Sequence, residues 1–578
     1  IQIKICQGAK PGEGGQLMGL KVTPDIARAR YAPEGVDLIS PPPLHDIYSI
    51  EDLKQLIYEL KQVAPHSLVS VKLVAGPGIG TIAVGVAKAG ADIIQVSGGD
   101  GGTGAASLSS MKHAGLPWEL GVLEVHQALA ANQLREHLIL RADGGLSTGM
   151  DIVMAAILGA DEMDFGKLLL IAEGCVMARI CEKNTCPTGI ATHDPRFKSK
   201  YKGQKEHIVR VLQILAEDTR QIMAQLGVRR LSDLIGRTEL LEINERHAML
   251  LKERRLDLSF FFSPAQSGGC TWWEKSAAHF SENTETRANQ TEAISLSRLR
   301  DPKAPYAEGN AISPLNAEIL ARIEALVHAG QPVEETFSIR STDRAVLARY
   351  AGWLAGQKQQ SRLQSPTRTD EVWPPVHLRF RGSAGQGFGV FLTGNTHITL
   401  EGEANDSVCK GMSDGFVVIK PSPDARFVPE EASIIGNCAL YGATGGKIFV
   451  HGRAGDRFAV RNSGAIAVVE GTGLHACEYM TNGKVVILGR SSANLGAGMT
   501  GGEVIGPPSL QPFLHPDFLT EVPMEAGELQ DLRLLLEEYF AATSSATAHK
   551  LLQAWSFQAP PLRRYRSIHQ RKHQERAA

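Results

Sequence analysis

Asp92-Ile-Ile-Gln-Val-Ser97-Gly-Gly-Asp100-Gly-Gly-Thr-Gly104 is the stretch that decides the fold. Aliphatic, β-favouring residues run straight into glycines, so a buried strand ends in a loop able to lie close over a flat ligand. Residues 2–7, 68–74, 138–142 and 162–165 read as further strands. Between them helices are expected near 49–63, 81–89, 121–131 and 149–158. Strand alternating with helix is the pattern of a parallel sheet with helices on its outside. Five strands are too few to close an eight-stranded barrel. Residues 1–245 are therefore expected to form the C-terminal part of a (β/α)8 barrel whose first strands precede Ile1. Starting in strand-like sequence without Met, the chain reads as a fragment or processed piece.

In such barrels the site lies at the C-terminal strand ends. The first strand enters Gln7-Gly-Ala-Lys10-Pro-Gly-Glu-Gly-Gly-Gln16, where Lys10 and Gln16 offer a cation and an amide to a carboxylate substrate. Arg30, on the following helix, would add a bidentate clamp. Lys72, within Val-Ser-Val-Lys72-Leu-Val, cannot face a helix-covered surface cheaply and is expected at the barrel mouth. There it would neutralise the electron-rich ring of a flavin beside Ser97. Arg141-Ala-Asp143-Gly144-Gly145 and Asp164-Phe-Gly166-Lys167 end the next two strands, where a mononucleotide phosphate would bind.

Nine residues beyond Gly166 begins Cys175-Val-Met-Ala-Arg-Ile-Cys181-Glu-Lys-Asn-Thr-Cys186-Pro187. Three thiolates in a short stretch suit an iron–sulfur cluster. The other cysteines, Cys6, Cys270, Cys409, Cys438 and Cys477, are distant in sequence, so a three-iron cluster fits better than a four-iron one.

The chain has 578 residues, enough for about three to four domains. A net charge of -2 with 21% charged residues argues against nucleic-acid and acidic-lipid partners. Eight cysteines, three of them clustered, fit a reducing compartment. Neither a signal peptide nor a bilayer-spanning stretch is evident. Residues 152–172 come nearest, but Asp161, Glu162, Asp164 and Lys167 interrupt them. A soluble, cytoplasmic protein without membrane contact is expected.

Residues 246–375 read as a mixed helical linker, of low periodicity through 263–298 and helical near 315–327 and 342–354. Residues 376–510 are compositionally distinct: 24 of the 59 glycines lie between Gly382 and Gly506. Strand runs recur behind Gly415, Gly446, Gly464 and Gly483. One such unit cannot bury its apolar face alone, whereas stacked coils share a core. A right-handed parallel β-helix is expected, with an antiparallel sandwich as the alternative. Val417, Ile448, Ile466 and Val486 are expected to point inward, in a structural domain that catalyses nothing. Residues 511–578 are expected to be helical with a basic, solvated tail holding Arg563, Arg564, Arg566, Arg571, Lys572 and Arg576.

On these motifs, and on Leu38-Ile-Ser-Pro-Pro-Pro-Leu-His-Asp-Ile-Tyr-Ser-Ile-Glu-Asp-Leu and Lys112-His-Ala-Gly-Leu-Pro-Trp-Glu-Leu-Gly, the chain resembles the C-terminal part of the glutamate synthase large subunit. The resemblance covers nearly all of the chain except about 260–300 and the tail. It implies an FMN barrel with a [3Fe-4S] cluster, a C-terminal β-helix, and reductive addition of glutamine-derived ammonia to 2-oxoglutarate. By the same resemblance Cys175, Cys181 and Cys186 ligate the cluster, and Lys10, Gln16 and Arg30 hold 2-oxoglutarate. Lys72, Ser97, Asp143, Gly144, Gly145, Gly166 and Lys167 would hold FMN. Implied partners are an N-terminal glutaminase domain or subunit and an electron donor, either ferredoxin or an NADPH-dependent flavoprotein small subunit. Asp25, Gly99, Lys167 and Leu168 depart from the family pattern. They leave open a related FMN enzyme using another amine or 2-oxo acid, such as an N-substituted glutamate synthase, or a non-catalytic scaffold. Gly382-Ser-Ala-Gly385-Gln-Gly-Phe-Gly is spaced wrongly for a dinucleotide fingerprint and opens a β region.

Overall fold

Every strand expected in the first half pairs in one parallel sheet, in the order Gln2–Lys4, Ser70–Val74, Ile93–Ser97, Ile139–Asp143 and Glu162–Met163. The computed structural model describes residues 1–6, 8, 15–40, 46–102, 108–262, 313–364, 373–556 and 561–568. Backbone contacts divide the chain into two compact units: Ile1–Gly15, Pro41–Tyr58 and His66–Ala311 in one, Gln16–Ser40, Glu59–Pro65 and Ile312–Ala578 in the other.

Alternation along the strands of the first unit sorts side chains by face. Val71, Leu73, Ile94, Val96, Leu140 and Ala142 are all buried. Helices Ile79–Lys88 and Trp118–Ala131 pack against these strands and against each other. The helices begin slightly before their expected starts. Helix Gly149–Ile157 opens on a capping box, in which Thr148 accepts from the Asp151 N–H and Asp151 reaches back. At the opposite strand ends the buried Arg135 donates to Asp161 at 2.8 Å, to the Gly159 carbonyl at 2.8 Å and to His126 at 3.1 Å. Burial, then the neighbouring guanidinium, pushes His126 down to about 3 and keeps it neutral. A short pair, Gly15–Leu17 with Leu38–Ser40, was not anticipated.

The second unit is built on a parallel ladder. Val333–Ile339, Val376–Ala384, Thr396–Ala404, Phe416–Lys420, Lys447–Ala454, Ser463–Gly471, Asn482–Ile487 and Glu503–Gly506 pair in succession. The ladder therefore starts at 333, earlier than the glycine-rich composition suggests. In register, Leu378, Ile398, Val417, Ile448, Ala467, Val485 and Val504 stack into one apolar row. All of them lie in the same buried cluster.

Val417 and Ile448 point inward as expected; Ile466 and Val486 do not. A register shift between Ser463 and Ile466 turns Ile466 beside Lys447 and Lys484, partly exposed. Val486 is buried on the other face, with Phe449, Val468, Leu532 and Leu536. Helix Ala526–Thr543 covers that face. With both faces covered, the run Val-Val-Ile-Leu carries no alternation from which to read its phase.

Corners of successive coils repeat one conformation. Ser407, Cys409 and Gly411 have φ of 62°, 54° and 65°, and the pattern recurs at Cys438, Leu440 and Gly442 and at Arg457, Ala459 and Arg461. The middle N–H of each triplet bonds backward, Cys409 to Phe388 O at 2.8 Å and Leu440 to Val408 O at 2.7 Å. Outer N–H groups bond forward, Ser407 to Asn437 O and Gly411 to Tyr441 O at 2.8 Å each. These stacked bonds override the roughly 1–2 kcal/mol cost of a left-handed side-chain-bearing residue. At Gly411 a Cβ would also meet the Phe391 ring at 2.8 Å.

Half of the supposed basic tail is structured. Arg563–Ser567 is a strand antiparallel to Glu503–Gly506. Arg564 is buried and pairs with Glu528, while Arg566 meets Glu503 at 3.0 Å. Glutamates on two neighbouring elements neutralise the basic run, a pairing that reading the run by itself cannot reveal. Arg571, Lys572 and Arg576 lie outside the described residues.

Candidate active site

The sheet face opposite the helices is polar. Gln95 and Ser97 follow each other at period two on Ile93–Ser97, beside Lys72 on one flank and Arg141 and Asp143 on the other. Asp143 is the hub. It accepts from Lys72 Nζ at 2.5 Å, from Gln95 Nε2 at 2.5 Å and from Ser97 Oγ at 2.6 Å. Gln95 Nε2 also reaches Asp164 Oδ2 at 2.7 Å, and Gln2 Nε2 donates to Gln95 Oε1 at 2.5 Å. Arg141 closes the row on Glu162 at 2.6 Å and Asp164 at 3.6 Å. Burial pushes Asp164 up, and Asp143 adds to this against the opposing pull of Arg141, Lys72 and Gln95. Cys6, following the first strand, is likewise raised by burial against a Val74 backbone hydrogen bond and Lys72.

Over this row the glycine loops pack backbone to backbone. A Cβ on Gly144 would lie 2.8 Å from Gly98, and one on Gly101 would lie 2.2 Å from Ser97 Oγ. Only residues without side chains let these loops meet above Asp143. Gly166 differs: nothing stands within 4 Å of where its Cβ would be, so packing does not require glycine there.

Beside the loops lies a cavity of about 280 Å³ lined by Gly99, Asp100, Lys167, Cys175, Cys181 and Cys186, among others. The three cysteines are not in disulfides. Cys186 is buried, which opposes ionisation. Hydrogen bonds from the Thr188 side chain and from the Ala191, Thr188 and Ile190 backbones outweigh that and bring its thiol to about 7. Cys409 and Cys477 are instead pushed up to about 12 by burial and are inert packing residues. Among the described residues no three His, Cys, Asp or Glu side chains converge tightly enough for one metal ion. A polynuclear cluster makes a different demand, one thiolate per iron, and so needs thiols spread around a cavity. The donor set fits that demand.

Of the expected site residues, the row brings together Lys72, Ser97 and Asp143, with Gly144 packed above them. Lys167 pairs with Asp100 at 3.4 Å and lines the thiol cavity. Gln16 lies on the strand Gly15–Leu17, and Arg30 is the exposed last residue of helix Pro24–Arg30. Lys10 lies outside the described residues. Sequence reasoning missed Gln95, Asp164 and Asp100. Gln95 was legible: an amide two residues before Ser97, inside an aliphatic strand, must share its face.

Residues 1–229 match the conserved region in glutamate synthase, and residues 316–564 match the GXGXG motif. Ferredoxin-dependent glutamate synthase 1, chloroplastic/mitochondrial, of Arabidopsis thaliana is 47% identical over 97% of this chain and 32% of its own length. The chain belongs to the glutamate synthase family. Ferredoxin-dependent glutamate synthase 2 of Synechocystis sp. is 45% identical over 96% of the chain and 34% of its own length. The chain thus spans about a third of the length of the curated glutamate synthases it matches. Mandelate oxidase with (S)-4-hydroxymandelic acid aligns at 18% identity and a TM-score of 0.23, over 34% of this chain and 40% of that one. A flavocytochrome b2 with sulfite bound aligns at 16% identity and the same TM-score, over 39% and 47%. Likeness this slight bears on neither fold nor site. No helix among the described residues is long and apolar enough to cross a membrane.

Proposed function

We propose that this chain is the glutamate-forming part of a ferredoxin-dependent glutamate synthase. The observation that carries the reading is the adjacency of the Lys72–Gln95–Ser97–Asp143 row to a three-thiol cavity, with Asp100 and Lys167 shared by the loops of both. Family membership and the names of the relatives support ferredoxin as electron donor, with 2-oxoglutarate and glutamine-derived ammonia as substrates. FMN and a [3Fe-4S] cluster, when bound, would supply hydride and single-electron chemistry respectively.

Lys72, held by Asp143, would place a cation under the electron-rich edge of the flavin ring. Ser97, Gly144, Gly145 and Gly166 would give backbone and hydroxyl contacts. Cys175, Cys181 and Cys186 would each supply one thiolate, Cys186 already poised to ionise. Lys10, Gln16 and Arg30 would bind the carboxylates of 2-oxoglutarate. We take residues 1–245 as part of a (β/α)8 barrel and the parallel ladder, with its left-handed corners, as one face of a right-handed β-helix. That second domain would be structural, and the enzyme would work in the cytoplasm or an organelle.

In the full-length enzyme, Cys181→Ser is expected to abolish ferredoxin-driven glutamate formation, with a loss of at least a hundredfold. Hydrolysis of glutamine should persist, and an assay of both activities reads the split. Unchanged glutamate formation would refute the assignment.

A further inference from the structure

From the position of Lys167 we infer that this residue, with Arg179, is an electrostatic tuning element of the thiol cavity and sets the reduction potential of the cluster held there. This inference rests on the cluster reading above and departs from the flavin-phosphate role its sequence position suggests. Lys167 is the first residue of helix Lys167–Ala172, whose Leu170 carbonyl accepts from the Cys175 N–H at 2.9 Å, so a backbone hydrogen bond ties the first thiol's residue to the lysine's helix. Both Lys167 and Arg179 line the cavity with the three cysteines.

Among the described lining residues the only other charge is Asp100, so the wall carries two cations against one carboxylate. The Lys167–Asp100 pair does not cancel this. At 3.4 Å, with the carboxylate side chain 75% exposed, it is long and solvent-screened. Arg179, in the loop between Cys175 and Cys181, is solvent-exposed and its charge is screened, so the weight falls on Lys167, whose side chain is only 35% exposed.

Three thiolates and a one-electron acceptor concentrate negative charge, and reduction adds one more. Fixed cations in the wall favour the reduced state and so raise the potential. A phosphate-binding lysine has no such consequence.

The test compares Lys167→Gln, Lys167→Arg and wild-type holoenzyme, purified anaerobically. Iron, sulfide and FMN content are measured for each, together with the cluster midpoint by an EPR-monitored redox titration. We expect unchanged iron, sulfide and FMN content. We also expect a lower midpoint in Lys167→Gln, with at least a threefold smaller reduced fraction at the wild-type midpoint, and a wild-type value in Lys167→Arg. Loss of FMN with an unmoved midpoint, or no change in either, would overturn the tuning role alone. A wild-type enzyme that holds flavin but no iron would overturn the cluster reading and this role with it.

Discussion

Replacing Val485 by aspartate is expected to destabilise the second unit by about 3–5 kcal/mol, the scale of an uncompensated buried charge. Val485 is fully buried, between Ala467 and Val504 in the inward row of the ladder. The row lies within one large cluster of buried, predominantly aliphatic side chains, where a new carboxylate loses its hydration. Burial raises the folded-state pKa of the new carboxyl above its unfolded value. The penalty is therefore largest near neutral pH and shrinks as pH falls toward the raised pKa, where the group folds protonated. Urea melts at pH 7 and pH 5 read both the size and the sign. Val486→Asp acts elsewhere: it strips the ladder face under helix Ala526–Thr543, where Leu532, Leu536 and Tyr539 pack. Hydrogen exchange should show residues 526–553 released first in that variant, whereas Val485→Asp opens the ladder itself. Tolerance of aspartate at 485 would mean that the inward register is wrong.

Asp143→Leu is the second large effect. It leaves the Lys72 ammonium, the Gln95 amide and the Ser97 hydroxyl without their shared acceptor at once. Removing one partner of a buried ion pair costs about 3–5 kcal/mol, because the other charge remains in place. The flavin site should be lost along with the stability. Lys72→Leu added to Asp143→Leu is expected to restore part of the stability but none of the flavin, since the stranded charge is gone and the cation is not replaced. Thermal melts with flavin content on the four members of the cycle provide the measurement. A single Asp143→Leu variant as stable and as flavin-replete as wild type would remove Asp143 from the hub.

Much of this was legible in the sequence because local signals agreed. Ile93–Ser97 and Ile139–Asp143 run straight into the glycines their loops need, and the three cysteines follow helix Lys167–Ala172 beyond the last strand. Phase was harder to read. Ile466 was misplaced by a register shift, and Val486 by a helix some forty residues later that buries the second face of its strand. The corner triplets around Cys409 and Leu440 were invisible, because inter-coil hydrogen bonds hold non-glycine residues where composition alone would ask for glycine. Lys72 was expected to face the mouth, but its partner is set by a register across three strands, and no sequence spacing encodes that pairing.

On the reading proposed above, the strand-end row and the thiol cavity serve one electron path. This is tested most directly by dithionite titration of the anaerobically purified full-length enzyme, followed by flavin absorption and low-temperature EPR. One flavin and one three-iron signal per chain are expected, with the iron signal absent from Cys181→Ser and the flavin retained there. Flavin without any iron signal in the wild type, or an iron signal that survives Cys181→Ser unchanged, would contradict it.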